Sequence, residues 1–229
     1  VFAAASLTEA FQELGRGFEA ENPGVVVTFN FAGSQALRTQ IEEGAAADMF
    51  ASASLKEMEQ LAAEGMLSGV AWTFATNLLT IVVPPDNPAD LESPLDLARP
   101  GVKLVLAAEQ VPAGGYARQS IDRLAGVYGA SFSEAVRENV VSSEDNVKQI
   151  VAKVQLGEAD AGIVYETDAL AAASLITIAI PPEQNVVAEY PIAVLAQATN
   201  RHLAAAFVEY LLSPDGLDTL EGWGFRPPL

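Results

Sequence analysis

Apolar residues recur along this chain in two alternating rhythms. Leu7, Ala10, Phe11, Leu14 and Phe18 fall three or four residues apart, the spacing of one helix face. They predict a helix from Leu7 to Glu21, ended by Asn22-Pro23-Gly24. Before it, Val1–Ala5 reads as the end of a buried strand, and after it Val25–Phe31 reads as a second strand. The alternation continues with a helix from Ser34 to about Glu43, closed by Gly44, a short strand Asp48–Ala53, and a helix Leu55–Glu64, closed by Gly65. Strand and helix in this regular order predict a mostly parallel sheet with helices on its faces.

The apolar, β-branched run Leu78–Pro84 then gives way to a loop rich in Pro, Asp and Asn that reaches Pro94. A second series follows: strand Lys103–Ala107, helix Ala117–Tyr128, strand Asn139–Val141, helix Val147–Leu156 and strand Ala159–Val164. The alanine-rich tract 169–173 reads as a close-packed helix, and Ile176–Ile180 as a further strand before Pro181-Pro182. Glu189–Ala196 is again a long strand, followed by helices at Arg201–Leu212 and Pro214–Gly222. Two apolar strands, Leu78–Pro84 and Glu189–Ala196, thus bracket a central α/β unit. They predict a chain that leaves a first lobe (1–79), builds a second (80–193) and returns (194–229), with a hinged cleft between lobes.

Composition removes several function classes. The 229 residues are half apolar and include no cysteine and one histidine, His202. Disulfides, thiolate metal sites and cysteine nucleophiles are excluded, and an imidazole-based triad is disfavoured. A net charge of −18 argues against nucleic acid or an anionic membrane surface as partner. It does not exclude a small anion, because bulk charge is screened over about 8–10 Å while a cleft responds to local dipoles. No stretch of about 18 uncharged apolar residues predicts a membrane span. The chain opens inside a strand, so any leader is expected to lie outside it.

Several segments place hydroxyl or N–H groups at the mouth of a predicted helix, where unpaired amides and the helix dipole favour an anion. Ser6 with Glu9 three residues on has the pattern of a capping box, which serves either helix stability or a ligand. Ser34, after Phe31-Ala32-Gly33, repeats strand, small residue, hydroxyl, and Gly33 permits close backbone approach. In Val111-Pro112-Ala113-Gly114-Gly115-Tyr116 the amides of Ala113 and its neighbours suit an anion-binding turn, but the Lys and Ser/Thr of a nucleotide-binding P-loop are missing. Glu144 and Asp145 suit the first turn of the next helix electrostatically. Tyr165 ends an apolar strand at the sheet edge where open α/β folds bind ligands, or else fills the core. His202, at a helix start beside Asn200 and Arg201, is expected to face solvent. No serine elbow and no calcium loop is present.

Six segments in order carry a resemblance that spans essentially the whole chain: Phe2-Ala3-Ala4-Ala5-Ser6-Leu7-Thr8, Phe31-Ala32-Gly33-Ser34, the run 44–53 from Gly44 to Ala53, Val111–Ala117, the run Gly157–Tyr165, and Tyr190-Pro191-Ile192-Ala193-Val194. With these the chain resembles the solute-binding proteins of molybdate ABC importers. The resemblance implies a two-lobed α/β type II periplasmic binding protein fold, each lobe a mostly parallel sheet flanked by helices, joined by two crossover strands. It implies that molybdate or tungstate is held between the lobes by Ser6, Ser34, the amides of Ala113 and Val147, and the hydroxyl of Tyr165. Molybdenum then enters only as the oxyanion on these same residues, with no cofactor. Many relatives read Asp-Val where this chain has Asp145-Asn146-Val147, so the amide is that of Val147 or of Asn146, and the interval from Val147 to Tyr165 favours Val147. The implied partner is an ABC permease, the implied setting periplasmic or extracytoplasmic, with or without a lipid anchor, and the implied state a monomer without enzymatic activity.

The chemistry of the five positions agrees with that reading. Molybdate is fully deprotonated near neutral pH and only accepts hydrogen bonds, whereas phosphate keeps a proton and calls for an acceptor. None of the five supplies a carboxylate. Sulfate or another small oxyanion on the same fold is the nearest rival. An enzyme or a ligand-sensing domain on this scaffold is a rival of another class; the first needs a general base near Ser6 or Ser34, and a regulator needs a DNA-binding helix pair that the sequence lacks.

Overall fold

A computed structural model, describing residues 1–228, shows the chain's first strand, β1, at Phe2–Ala4. A 3-10 turn at Ala5–Leu7 leads directly into α1 (Thr8–Glu21), which buries Ala10, Phe11, Leu14 and Phe18 on one face. Asn22 ends this helix by donating its N–H and its side-chain amide to Phe18 O, and Gly24 then takes φ +92°, a turn any Cβ would strain. β2 is only Asn30–Ala32. The stretch 25–29, expected as part of that strand, bonds elsewhere: Val27 N–H donates to Glu19 Oε1 at 2.7 Å, and Thr28 O accepts from the Val1 ammonium at 2.7 Å. Next come α2 (Ser34–Glu42), β3 (Met49–Ala51), α3 (Leu55–Ala63) and β4 (Trp72–Asn77).

β5 (Leu79–Val83) starts one residue after β4 but pairs in a different sheet. That abrupt switch hid β4 in the sequence, since no turn signal separates the two strands. A 3-10 turn at Pro94–Ala98 precedes β6 (Leu104–Ala107) and α4 (Pro112–Tyr128). α4 begins five residues before its expected start at Ala117, because Pro112 is preorganised for the first helical position. The short α5 (Ser131–Glu138), not anticipated, buries only Phe132 and Val136. β7 (Val140–Glu144), α6 (Val147–Gln155), β8 (Ala161–Tyr165), α7 (Glu166–Ala171), β9 (Ile176–Ala179), β10 (Ala188–Val194), α8 (Arg201–Leu211) and α9 (Pro214–Gly222) complete the order.

These elements form two compact units, Val1–Asn77 with Ala188–Leu229, and Leu78–Val187. This is the two-lobed α/β fold expected from the sequence, and each unit has one mixed five-stranded sheet. In the first the order is β2-β1-β3-β10-β4, in the second β7-β6-β8-β5-β9. β1 pairs in parallel with β2 and β3, while β10 is antiparallel to both β3 and β4. Likewise β6 is parallel to β7 and β8, and β5 antiparallel to β8 and β9. The parallel part that strand–helix alternation predicts is therefore half of each sheet. Strands by which the chain enters or re-enters a unit supply the antiparallel half.

The first unit's core is aromatic. Phe11, fully buried, has ring centroids 5.7 Å from Phe74 and 6.2 Å from both Phe29 and Phe207. Gly15 makes room for Phe29, whose ring lies 2.7 Å from where a Cβ would sit. In the second unit β5, β6 and β8 are buried throughout, and Gly162 lets α6 press Ile150 onto the sheet, 2.4 Å from a notional Cβ. At the β7–α6 junction the buried Glu144 carboxylate accepts from Lys153 Nζ at 2.6 Å and from Ser142 Oγ. Burial pushes this carboxyl up, but the bonds from Lys153 and Ser142 and the lysine's charge outweigh it and leave the carboxyl below its ordinary range.

Two outcomes are expected. Phe11→Ala removes the ring shared by three aromatic contacts and should cost about 3–5 kcal/mol, read as a lower urea midpoint. Glu144, with its folded-state pKa depressed, contributes stability in full above the unfolded-state value, and that contribution disappears as pH falls through the folded-state value. Acid titration of Glu144→Gln, followed by circular dichroism, should therefore lack that part of the wild-type loss while remaining less stable at neutral pH.

Candidate functional site

Helices that follow parallel strands begin at the strands' carboxyl ends, so each sheet has one edge rich in amides that no intrahelical acceptor reaches. All five residues singled out in the sequence lie on such an edge. Ser6 and Ser34 belong to the first unit, and each stands two residues beyond the same rung of the ladder, Ala4 opposite Ala32. Ala113, Val147 and Tyr165 belong to the second, following β6, following β7 and ending β8.

Ser6 is not the capping residue its spacing with Glu9 suggests. The chain enters α1 through a 3-10 turn, the residue before the helix is Leu7 in helical conformation, and no side chain caps it. Thr8 Oγ1 instead donates back to Ala5 O at 2.7 Å. The Ser6 hydroxyl, on a residue 5% exposed, is 3.0 Å from the phenol oxygen of Tyr190. Ser34 is the first residue of α2 and is buried, with its Oγ accepting from Ala53 N–H at 3.0 Å. Ala53 is held in turn by a tight turn in which Ser52 Oγ donates to Ser54 O and accepts from Ser54 N–H.

In the second unit Pro112 occupies the first position of α4, so Ala113 is the first residue there with an N–H to offer. The helix start is pressed tightly on β6: a Cβ at Gly114 would lie 2.1 Å from Ala108 O and 2.4 Å from Ala107 O. Arg118 locks this approach by donating to Ala107 O at 2.8 Å and Gly114 O at 2.9 Å. Burial lowers the Arg118 pKa, Glu109 opposes that, and Arg137 adds to it. At α6 the inserted Asn146 is the capping residue, its Oδ1 accepting from Gln149 N–H at 3.2 Å. Val147 is thus the first residue of the helix, and it is buried. Tyr165, 1% exposed, is both the last residue of β8 and the residue before α7.

Two acidic residues near this edge are paired with lysines. Glu144, which ends β7 rather than opening α6, is paired with Lys153, and the buried Asp168 of α7 lies 3.0 Å from Lys148 Nζ of α6. That second pair ties the helix begun by Val147 to the helix that follows Tyr165. Among the described residues no group of three or more His, Cys, Asp or Glu is arranged to hold a metal ion. His202 is exposed on α8. A cavity of about 470 Å³ in the first unit, lined by Phe2, Phe18, Phe29 and Phe207, lies at the opposite edge, where β1, β2 and β3 begin. Its lining mixes these rings with polar groups such as Asp48 and Asn200, and it gathers none of the five residues.

Three groups around these hydroxyls escaped the sequence: the Tyr190 phenol against Ser6, Asn77 beside that phenol, and the Ala53 N–H on Ser34. Tyr190 sits in a motif that marked the resemblance without having a role, Asn77 lies on the unanticipated β4, and the Ala53 amide leaves no trace in a residue type.

Residues 1–226 match the family model of bacterial extracellular solute-binding proteins. The molybdate-binding protein ModA of Mycobacterium tuberculosis is 41% identical over the whole chain, which covers 84% of that protein. ModA of Escherichia coli is 34% identical over 98% of the chain and 87% of its own length. The periplasmic molybdate-binding protein of Azotobacter vinelandii superposes with a TM-score of 0.85 at 21% identity, covering all of this chain and 98% of that one, which speaks for the fold. The chain belongs to the family of bacterial extracellular solute-binding proteins.

Proposed function

We propose that the chain is a receptor, without chemistry of its own, that binds molybdate or tungstate as the intact oxyanion and delivers it to an ABC permease outside the cytoplasm. Ser6 and Ser34 of the first unit and Ala113, Val147 and Tyr165 of the second are the proposed donors. The observation that carries this reading is the make-up of the two strand-end edges: hydroxyls and helix-start amides, with the nearby carboxylates Glu144 and Asp168 held by lysines. Such a set has a donor at every position and no carboxylate among the five, which suits a ligand without protons. That relatives covering the whole chain are named for molybdate supports the choice of ion. Each hydrogen bond to a charged partner contributes about 1.5–3 kcal/mol, so five donors support tight binding after ordering costs.

Sulfate has the same charge and shape, and a sulfate-binding protein of Synechococcus elongatus is 25% identical over 91% of this chain. The deciding experiment is thermal unfolding with molybdate, tungstate, sulfate and phosphate at equal excess. A ligand at about a thousand times its dissociation constant stabilises by roughly 4 kcal/mol, a rise of several degrees. Rises with molybdate and tungstate alone are expected; an equal rise with sulfate makes this a broader oxyanion receptor, and none with any of the four removes the reading. Ser6→Ala and Ser34→Ala should each weaken molybdate binding about 10- to 100-fold while keeping the fold, each at a cost of about 1–3 kcal/mol in unliganded stability for the buried partner left unbonded. Tyr165→Phe should lose affinity and keep its fold, and an unfolded variant would mean that Tyr165 is a core residue only.

A further inference from the structure

A hydroxyl carries one proton and two lone pairs, so a serine in a binding site offers a ligand either a donor or an acceptor. Which one it offers depends on what else the hydroxyl bonds. For Ser34 the framework decides unambiguously: the partner is the Ala53 N–H, which only donates, so Ser34 Oγ accepts there and its proton is not consumed. For Ser6 the partner is the phenol of Tyr190, 3.0 Å away, and either oxygen is able to be the donor.

A third group biases that choice. Asn77 Nδ2 lies 3.5 Å from the Tyr190 phenol oxygen, and an amide NH₂ only donates. All three residues are buried, Tyr190 and Asn77 at 0% and 1% exposed. The sheet explains why they meet. Asn77 pairs with Ala188 across β4 and β10, and Tyr190, two residues along β10, shares its face. Because β10 is antiparallel to β3 and β4, its first residues lie at the edge where β3 and β4 end, the edge that Ser6 occupies. Rings of Phe74 and Phe225, with centroids at 6.3 and 5.3 Å, fix the phenol in place.

We propose that Tyr190 is a specificity-determining positioning residue: with Asn77 donating to its oxygen, it donates its own proton to Ser6 Oγ and so commits the Ser6 proton to the ligand. Both serines then present donors only, and the pair selects oxyanions that carry no proton. This inference rests on the site proposed above.

Titration calorimetry with molybdate and with inorganic phosphate at neutral pH tests it on the wild type, Ser6→Ala, Tyr190→Phe and the double variant. Tyr190→Phe keeps the packed ring and should weaken molybdate about five- to tenfold, the loss expected when the Ser6 hydroxyl that bonds the charged ligand is no longer held with its proton toward it. It should also narrow the preference for molybdate over phosphate, since the released Ser6 oxygen becomes free to accept the phosphate proton. On the Ser6→Ala background the same change should have no further effect. Asn77→Ala, which leaves the phenol in place, should produce a smaller loss in the same direction and keeps the test independent of any packing defect at Tyr190. If Ser6→Ala weakens binding but the Tyr190→Phe loss adds to it in full, or both anions weaken equally, the relay is overturned while the site stands. If Ser6→Ala binds molybdate as the wild type does, the site itself is misassigned and the relay falls with it.

Discussion

A helix cannot satisfy its own first amides, and a strand cannot be followed by a parallel neighbour without an intervening crossover. Together these two constraints govern the chain. Wherever β1, β2, β6 and β7 end, a helix start is brought to the same edge of the sheet, and its amides must find water, a side chain or a ligand. The two units obey this rule in the same strand order. β1, β2 and β3 of the first correspond to β6, β7 and β8 of the second, with β10 and β5 as the antiparallel neighbours. Ser6 and Ala113 then occupy the segment after the strand next to the edge, Ser34 and Val147 the helix after the edge strand, and Tyr165 the end of the central strand. Side-chain chemistry differs between the units while backbone position recurs, so the correspondence is invisible as a sequence repeat.

What each unit adds is rigidity at that edge. Backbone amides at a helix start have almost no freedom to lose, and a serine hydroxyl has a single rotor. A lysine or arginine would bring more charge but would give up about 2 kcal/mol of rotamer entropy. Its reach would also adapt to ligands of several sizes. The chain spends its cations one step back instead: Arg118 clamps the start of α4 to β6, Lys153 fixes the end of β7, and Lys148 joins α6 to α7. Tight backbone contact at Gly114 serves the same end, since a methyl group there would push the α4 amides off the strand.

Much of this was legible in the sequence where the signal is periodic or punctuated. The buried face of α1, the stops at Asn22 and Gly44, and the hydroxyl at the start of α2 follow from spacing and from residues with special backbone preferences. The order of elements, β4 and α5 apart, and the two-lobed α/β class follow from alternation and the two bracketing apolar strands. What escaped depends on partners distant in sequence. Ser6 reads as a cap because Glu9 is three residues away, yet its actual partner is Tyr190, 184 residues on. β4 was hidden because a single residue separates it from β5, and no local signal reports that two successive strands belong to different sheets. α4 starts early because Pro112 favours the first helical position, while the two glycines behind it suggest a loop by composition. Asn146 blurred the register by sequence matching alone, and its side-chain bond to Gln149 shows it to be the cap before Val147.

On bulk charge alone, a chain with a net charge of −18 is a poor host for a dianion. The contradiction dissolves once range is considered. Acidic side chains spread over the surface act through water and salt, where their influence fades within about 8–10 Å. They slow the approach of an anion more than they weaken one already held, because steering works on association. Inside a site lined by amides and hydroxyls, fixed partial charges act at contact distance with little water between. Two carboxylates close to the second unit's edge, Glu144 and Asp168, are each tied to a lysine. For the proposed oxyanion, the local field is therefore set by helix starts and by serines whose protons are directed by Ala53 and Tyr190, and the surface charge decides solubility rather than specificity.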